Sequence, residues 1–332
     1  MSTMRAMQLD RPGALLRLVE RPMPEAGPHQ LRIAISACGV CRTDLHIVDG
    51  DIHGPLPVIP GHEIVGRVEQ IGSGVTGFSL GERVGVPWLG HTCGICPFCR
   101  ASQENLCDDP LFTGFTRDGG FASHCLADAR YCFALPDAFD DVHAAPLLCA
   151  GLIGYRAYRM AGDARVIGLY GFGAAAHILV QIAVWQGRDV FAFTRANDEA
   201  GQSFARATGC AWAGPVEAQP PGALDAAILF APVGELVPLT LKATRKGGQV
   251  ICAGIHMSDI PSFPYRHLWQ ERVIRSVANL TREDGLEFLP LAAAAGVRTH
   301  VTALPLEQAN AALDRLRRGA VEGALVLINP TT

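Results

Sequence analysis

The sequence predicts an α/β protein in which a doubly wound parallel sheet is joined to a second, mainly β domain. Three observations carry this. The first 150 residues hold short strand-like runs between turns, with 31–37, 64–71 and 81–86 the clearest, at the spacing of an antiparallel, barrel-like domain. From about residue 151 strands and helices alternate, which is the pattern of a parallel doubly wound sheet. The length, 332 residues, suits two domains at roughly 150 residues each.

In the second half, 165–170 reads as a strand and 174–186 as a helix. Next come strand 189–194 and helix 199–208, which stops at Gly209, a residue suited to a helix C-cap. Strand 224–230, helix 236–244, strand 248–254 and strand 272–277 complete the alternation. The tail from 299 to 326 adds an extended piece, a helix over 306–318 and a last strand. Residues 166–185 are apolar enough to suggest a membrane span, but Gly168, Gly171 and Gly173 crowd the first half and Arg165 and Arg188 flank the stretch. A buried strand, a glycine turn and a buried helix fit better, so no membrane association is expected.

Composition narrows the function. With 49% hydrophobic and 18% charged residues the chain is not disordered. Twenty-eight Lys and Arg against 32 Asp and Glu leave a net charge of -4, with no basic excess for nucleic acid. Residues 1–10 contain no apolar run that would serve as a secretion signal. An odd total of 11 cysteines without such a signal argues against a disulfide framework and for a reducing, cytoplasmic setting.

Four of the cysteines crowd together. Cys93, Cys96, Cys99 and Cys107 have the spacing C-x2-C-x2-C-x7-C, so four thiolates in one short loop can close a tetrahedron around zinc. With no open position, such a site is structural. Three further segments, Cys38-Gly-Val-Cys-Arg-Thr-Asp-Leu-His46, Gly61-His-Glu63 and Pro146-Leu-Leu-Cys-Ala-Gly151, each offer a metal-ligand type beside Gly or Pro. Singly each is weak. Chemistry needs three donors to converge and leave one metal position open.

Gly168-Leu-Tyr-Gly-Phe-Gly-Ala-Ala-Ala176 follows a strand and opens a helix, the context of a dinucleotide-binding turn. Gly171 permits the tight turn, Gly173 lets a pyrophosphate approach the backbone, and Ala176 substitutes for the third glycine. The next strand ends at Thr194-Arg195, where NAD-binding chains carry a carboxylate for the ribose hydroxyls. A hydroxyl beside a guanidinium suits a 2′-phosphate, so NADP is favoured over NAD.

With these pieces in this order, the chain resembles the zinc-dependent alcohol dehydrogenases of the medium-chain dehydrogenase/reductase family. The motifs cover residues 38 to 173, and the strand-helix alternation extends the likeness to the end. The resemblance implies a GroES-like catalytic domain over 1–150 and 291–332 holding both zinc sites, and a Rossmann cofactor domain over 151–290. It implies two Zn2+ per chain, with Cys41, His62 and Cys149 as catalytic ligands, Glu63 behind the metal, and Asp44 orienting the ligand histidine. Thr43 and His46 match the proton relay, Arg42 and Arg282 the cofactor's phosphates, Ile153 the residue behind the nicotinamide ring, and Trp88 an aromatic wall of the substrate cleft. Implied too is hydride transfer between a small apolar primary alcohol or aldehyde and NAD(P), in a homotetramer or, alternatively, a dimer. Two rivals share the fold: a zinc-free quinone or enoyl reductase, and a zinc-binding protein without activity. The first lacks the cysteine loop and the Cys/His/Cys set. The second would be expected to have lost Thr43, His46 or a ligand, and none is missing here.

Overall fold

The computed structural model describes residues 2–319 and 321–329. The chain forms two compact units. The first is Met1–Cys149 with Asn279–Ala293 and Arg298–Thr332; the second is Ala150–Ala278 with Ala294–Val297.

The first unit is built on a seven-stranded, mostly antiparallel sheet. Its long strand, Gln30–Val40, alternates between buried and half-buried positions as far as Ala37 and then runs buried on both faces. Its early half pairs with His124–Asp128 and its late half with Ala324–Ile328, while Glu63–Ile71 lies along its other side. Arg83–Val86 and Phe133–Ala134 extend the sheet beyond Glu63–Ile71, and Val301–Pro305 lies parallel to Ala324–Ile328. Leu31, Ile33, Ile64, Val84 and Phe121 are wholly buried on this sheet. Each such side chain contributes roughly 1.5–3 kcal/mol relative to exposure. The register matters for chemistry: Cys38 opposes Ile64 and Gly39 opposes Glu63. The end of one strand, just before Cys41, is thereby placed against the start of the other, just after His62.

The second unit holds six parallel strands. From edge to edge they are Trp212–Pro215, Asp189–Thr194, Val166–Tyr170, Leu224–Leu229, Thr244–Cys252 and Val273–Ser276. Numbered along the chain within this sheet, that is 3-2-1-4-5-6, the doubly wound order with a switch point between the first and fourth strands. Central strands are buried on both faces, which is why they read as continuous apolar runs. The membrane-like stretch divides as expected into the strand Val166–Tyr170 and the helix Ala174–Trp185. No helix among the described residues is long and apolar enough to cross a membrane.

Residues 279–290 depart from the expected division, because they group with the first unit and not with the cofactor sheet. They open the helix Arg282–Ala294, which the sequence conceals behind Gly285 and an internal Pro290. Buried Leu280, Phe288 and Leu289 hold this helix down, and Gly285 lies against the ring of Phe133. Two shorter helices, Arg42–Asp49 and Ala150–Met160, and the strand Trp212–Pro215 were also not predicted. The predicted tail helix is a single turn, Leu306–Gln308, followed by the helix Ala309–Arg317.

Candidate active site

Cys41 ends the long strand's path and caps the helix Arg42–Asp49. Its sulfur accepts from the third residue of the helix, and the Asp44 carboxylate accepts from the Cys41 backbone N–H at 2.8 Å. This reciprocal box satisfies two otherwise orphaned donors. The other Asp44 oxygen accepts from Gly61 N–H at 3.1 Å and lies 3.2 Å from His62 Nδ1. One wholly buried carboxylate therefore ties both ligand motifs together and sets the orientation of the imidazole. Cys149 arrives from the other side, at the end of the turn Ala145–Leu148.

The ligating atoms of Cys41, His62, Glu63 and Cys149 all lie within 4.8 Å of one another. The Cys41 and Cys149 sulfurs are 3.7 Å apart. A tetrahedral zinc with Zn–S bonds of about 2.3 Å has sulfur–sulfur edges of roughly 3.8 Å. Both His62 ring nitrogens are buried without a well-formed hydrogen bond; Nδ1 has the Asp44 carboxylate 3.2 Å away, which leaves Nε2 for a metal. Space for Glu63 is made by Gly39: a Cβ there would stand 1.8 Å from Glu63 Oε2, so no other residue fits without displacing the carboxylate.

The electrostatics also suit a divalent cation. The hydrogen bond with Cys149, and after it the neighbouring His62, hold the Cys41 thiol well below its usual range. The same bond and burial push Cys149 well up. Burial alone would lower the His62 pKa, but Asp44 and then Cys41 outweigh it and hold it high. Burial, then the Cys41 charge, raises Glu63. Two thiols, an imidazole and a carboxylate thus compete for protons in one small space, and a cation would let both sulfurs ionise.

Thr43 is buried one helical position after Arg42, with its hydroxyl 3.7 Å from the Cys41 sulfur. His46 lies on the same helix, and its Nδ1 is 2.7 Å from the Asp51 carboxylate. Asp51 was not singled out from the sequence. It reaches back to His46 because Gly50 takes the left-handed conformation, φ +86°, at the helix end, and the His46 carbonyl collects the N–H groups of Gly50 and Asp51. Trp88 meets the His62 ring edge-on at 5.0 Å. It stacks with Phe112 at 5.0 Å and with Phe115 at 5.8 Å, two aromatic residues the sequence reading missed.

Cys93, Cys96, Cys99 and Cys107 come together as a second set, with their sulfurs within 4.8 Å of one another. Two of the pairs are 3.5 and 3.9 Å apart, again close to a tetrahedral edge. Backbone N–H groups of Cys93, Cys96, Cys99 and Asp109 point at these sulfurs. N–H donation, from Asp108 first and then Cys99, brings Cys96 down to about 6, whereas burial pushes Cys107 up to about 12.

In the second unit Gly171 sits at φ +88°, in the turn that follows Val166–Tyr170. Gly173 caps the helix Ala174–Trp185, no side chain bonds its first N–H groups, and a Cβ at Gly173 would meet open space. Those donors are free to face a pyrophosphate. Ala176, the third residue of the helix, is wholly buried, as close packing requires. Thr194 ends its strand buried, its hydroxyl donating to the Arg195 carbonyl and accepting from Gln202, while the Arg195 side chain is exposed. Asp198 is occupied as the cap of the helix Glu199–Ala207. Ile153 is half-buried on Ala150–Met160, and Arg42 is exposed. Arg42 and Arg282 both belong to the first unit, where Arg282 Nε donates to the Arg130 carbonyl and its backbone N–H to Glu104, both at 2.7 Å.

Asp44→Asn should lower metal affinity and kcat/KM together, each by about 10–100-fold, because the amide cannot serve both N–H donors and His62. Zinc competition with a chelator and steady-state kinetics would check this; wild-type values in both would refute the bridging role.

The alcohol dehydrogenase GroES-like domain family matches residues 27–137. The chain is 44% identical to "Probable alcohol dehydrogenase AdhA" of Mycobacterium tuberculosis (strain CDC 1551 / Oshkosh), over 98% of each chain. Among solved structures it superposes on acetophenone reductase from Geotrichum candidum, in complex with NAD, with a TM-score of 0.88, 26% identity and 98% and 97% of the two chains covered. A chain from Sinorhizobium meliloti 1021 described as a zinc-binding dehydrogenase, bound to NADP, also gives 0.88, at 26% identity and with 99% and 100% covered. The chain belongs to the zinc-dependent alcohol dehydrogenases of the medium-chain dehydrogenase/reductase family, and it interconverts alcohols and carbonyl compounds with NAD(P).

Proposed function

We propose that Cys41, His62 and Cys149 hold the catalytic zinc, that Cys93, Cys96, Cys99 and Cys107 hold a structural one, and that the substrates are small apolar primary alcohols and their aldehydes. The observation that carries this reading is the convergence of Cys41, His62, Glu63 and Cys149 within 4.8 Å, on the helix-strand junction that also presents the Thr43 hydroxyl. When bound, zinc supplies Lewis acidity that lowers the alcohol's pKa, and the nicotinamide supplies a hydride acceptor. The Thr43 hydroxyl would relay the substrate's proton, taking it up as it gives its own onward. His46, steadied at Nδ1 by Asp51, passes it outward. Trp88, with Phe112 and Phe115 behind it, gives an apolar wall beside His62. Glu63, whose carboxyl is held above its usual range by burial and then by the Cys41 charge, would stand beside these three ligands. Metal analysis tests the reading: two zinc ions per active chain are expected, and one ion with full turnover would sink it.

For the cofactor, Gly171, Gly173 and Ala176 shape the pyrophosphate turn, Arg42 adds a phosphate contact, and Ile153 backs the nicotinamide ring. NADP is the preferred form. What supports this is that the strand tip carries Thr194 and an exposed Arg195 in place of a carboxylate. A charge-assisted phosphate contact is worth roughly 1.5–3 kcal/mol, about ten- to a hundredfold. Arg195→Ala should cut kcat/KM for NADPH by about that factor and leave NADH nearly unchanged, and Thr194→Asp should favour NADH by repulsion. Equal losses with both cofactors would show that Arg195 does not read the 2′-phosphate. The assembly proposed is a homotetramer, with a dimer as the alternative. A reducing, cytoplasmic setting agrees with eleven cysteines of which none forms a disulfide.

A further inference from the structure

A cavity of about 610 Å³ opens in the first unit, and none of the residues assigned above lines it. Its wall includes Pro28, His91, Leu111, Arg117, Asp128 and Arg130. Asp128 is nearly buried and already engaged: Arg130 donates to it through Nε and Nη2, and His91 Nδ1 lies 2.7 Å away. Burial would raise the Asp128 pKa, but the Arg130 and His91 bonds outweigh it and hold the carboxyl below its usual range. Asp128 therefore neutralises Arg130 within the wall. Nothing does the same for Arg117. That residue is half-buried, its Nη1 donates to the Gly90 carbonyl at 3.1 Å, and no carboxylate lies within ion-pair distance among the described residues.

A partly desolvated guanidinium without a counter-charge is unfavourable, and here it lines a concave space. The remaining lining is apolar at Leu111 and Pro28 and polar but uncharged at Gln30, with His29 beside it. The charge balance and the lining together define the ligand. One uncompensated positive charge calls for one negative charge, a carboxylate and not a phosphate dianion, and the apolar side calls for a compact apolar body. We propose that this cavity is a second ligand site, separate from the catalytic set, that takes a small organic carboxylate with Arg117 as its anchor and Arg130 and His91 beside it.

The probe is benzoate, with benzamide as its neutral counterpart, on the zinc-loaded enzyme. Phenylglyoxal modification of Arg117, followed by peptide mass spectrometry, reads this position alone. Benzoate is expected to slow that modification and benzamide to leave it unchanged. In calorimetry Arg117→Leu should weaken the benzoate event by about ten- to a hundredfold, the worth of one charge-assisted bond, and Arg117→Lys should keep part of it. If benzoate bound only the catalytic metal, modification of Arg117 would proceed at the same rate with and without it, and the proposal would be overturned. Equal protection by benzamide would overturn it too, since the charge would then not be recognised. Should Arg117→Leu misfold through loss of its bond to Gly90, the protection measurement on the natural chain decides.

Discussion

Cys149→Ser is expected to remove nearly all turnover from a protein that remains folded. A serine hydroxyl is a poor zinc donor near neutral pH, so the set loses one of its two thiolates. The Lewis acid it would hold lowers the barrier by several kcal/mol, and each 1.36 kcal/mol is tenfold, so a loss of about a thousandfold or more should follow. Cys149 ends a turn whose Leu147 and Leu148 are wholly buried, and the turn itself does not depend on the sulfur. The melting curve should therefore move little, while metal analysis should read one zinc fewer per chain. A variant that turns over at the wild-type rate, or keeps both ions, would remove Cys149 from the ligand set.

The second large effect is on stability. Cys96→Ser takes one corner from the four-sulfur cluster, whose loop has little else to hold it: the helix Pro97–Arg100 buries nothing, and Ile95, Phe98 and Leu106 remain exposed. With so little core, this loop depends on its metal for order. A loss of about 3–5 kcal/mol is expected, or roughly 10 °C at ~2–4 °C per kcal/mol for a domain of this size. Loading of the natural loop should release protons, because Cys107, at about 12, must give one up. Differential scanning calorimetry with and without a chelator, joined to zinc counting, checks both. An unmoved transition at full metal content would mean that the loop is not held by zinc.

The donor sets were legible in the sequence because metal chemistry demands particular residue types, and here they stand in short segments bounded by Gly and Pro. The cysteine loop is local, so its spacing alone predicts the cluster. Cys41, His62 and Cys149 are distant in sequence, and only the likeness to a known family connected them; the pairing of Gly39 with Glu63 joins the first two in space, and the turn Ala145–Leu148 brings in the third. Asp51 and the Phe112–Phe115 pair left no such mark. Asp51 is an exposed acid in a turn, and only the left-handed Gly50 aims it at His46. Phe112 and Phe115 belong to a loop whose stacking on Trp88 depends on the pairing of Leu89 with Phe112. In the fold, the central strands were plain because burial on both faces makes them uniformly apolar. Trp212–Pro215 was hidden by its brevity and by Gly214 and Pro215, and Arg282–Ala294 by a proline in its interior.

The strand Ala324–Ile328 pairs with Ala37–Val40 immediately before Cys41, so Val40 must wait for a partner, Leu325, that lies far along the chain. During synthesis at ~5–20 residues per second, the interval between the two is roughly 15–60 s. The cofactor sheet is drawn from one nearly continuous stretch, Ala150–Ala278, and can be complete before then. Maturation of the enzyme is therefore vectorial. The half that performs the chemistry closes last, and until it does the edge of Ala37–Val40 is an unpaired template for other strands. Slowing translation, or withholding chaperones, should deplete the zinc-loaded enzyme while leaving the dinucleotide-binding half able to fold.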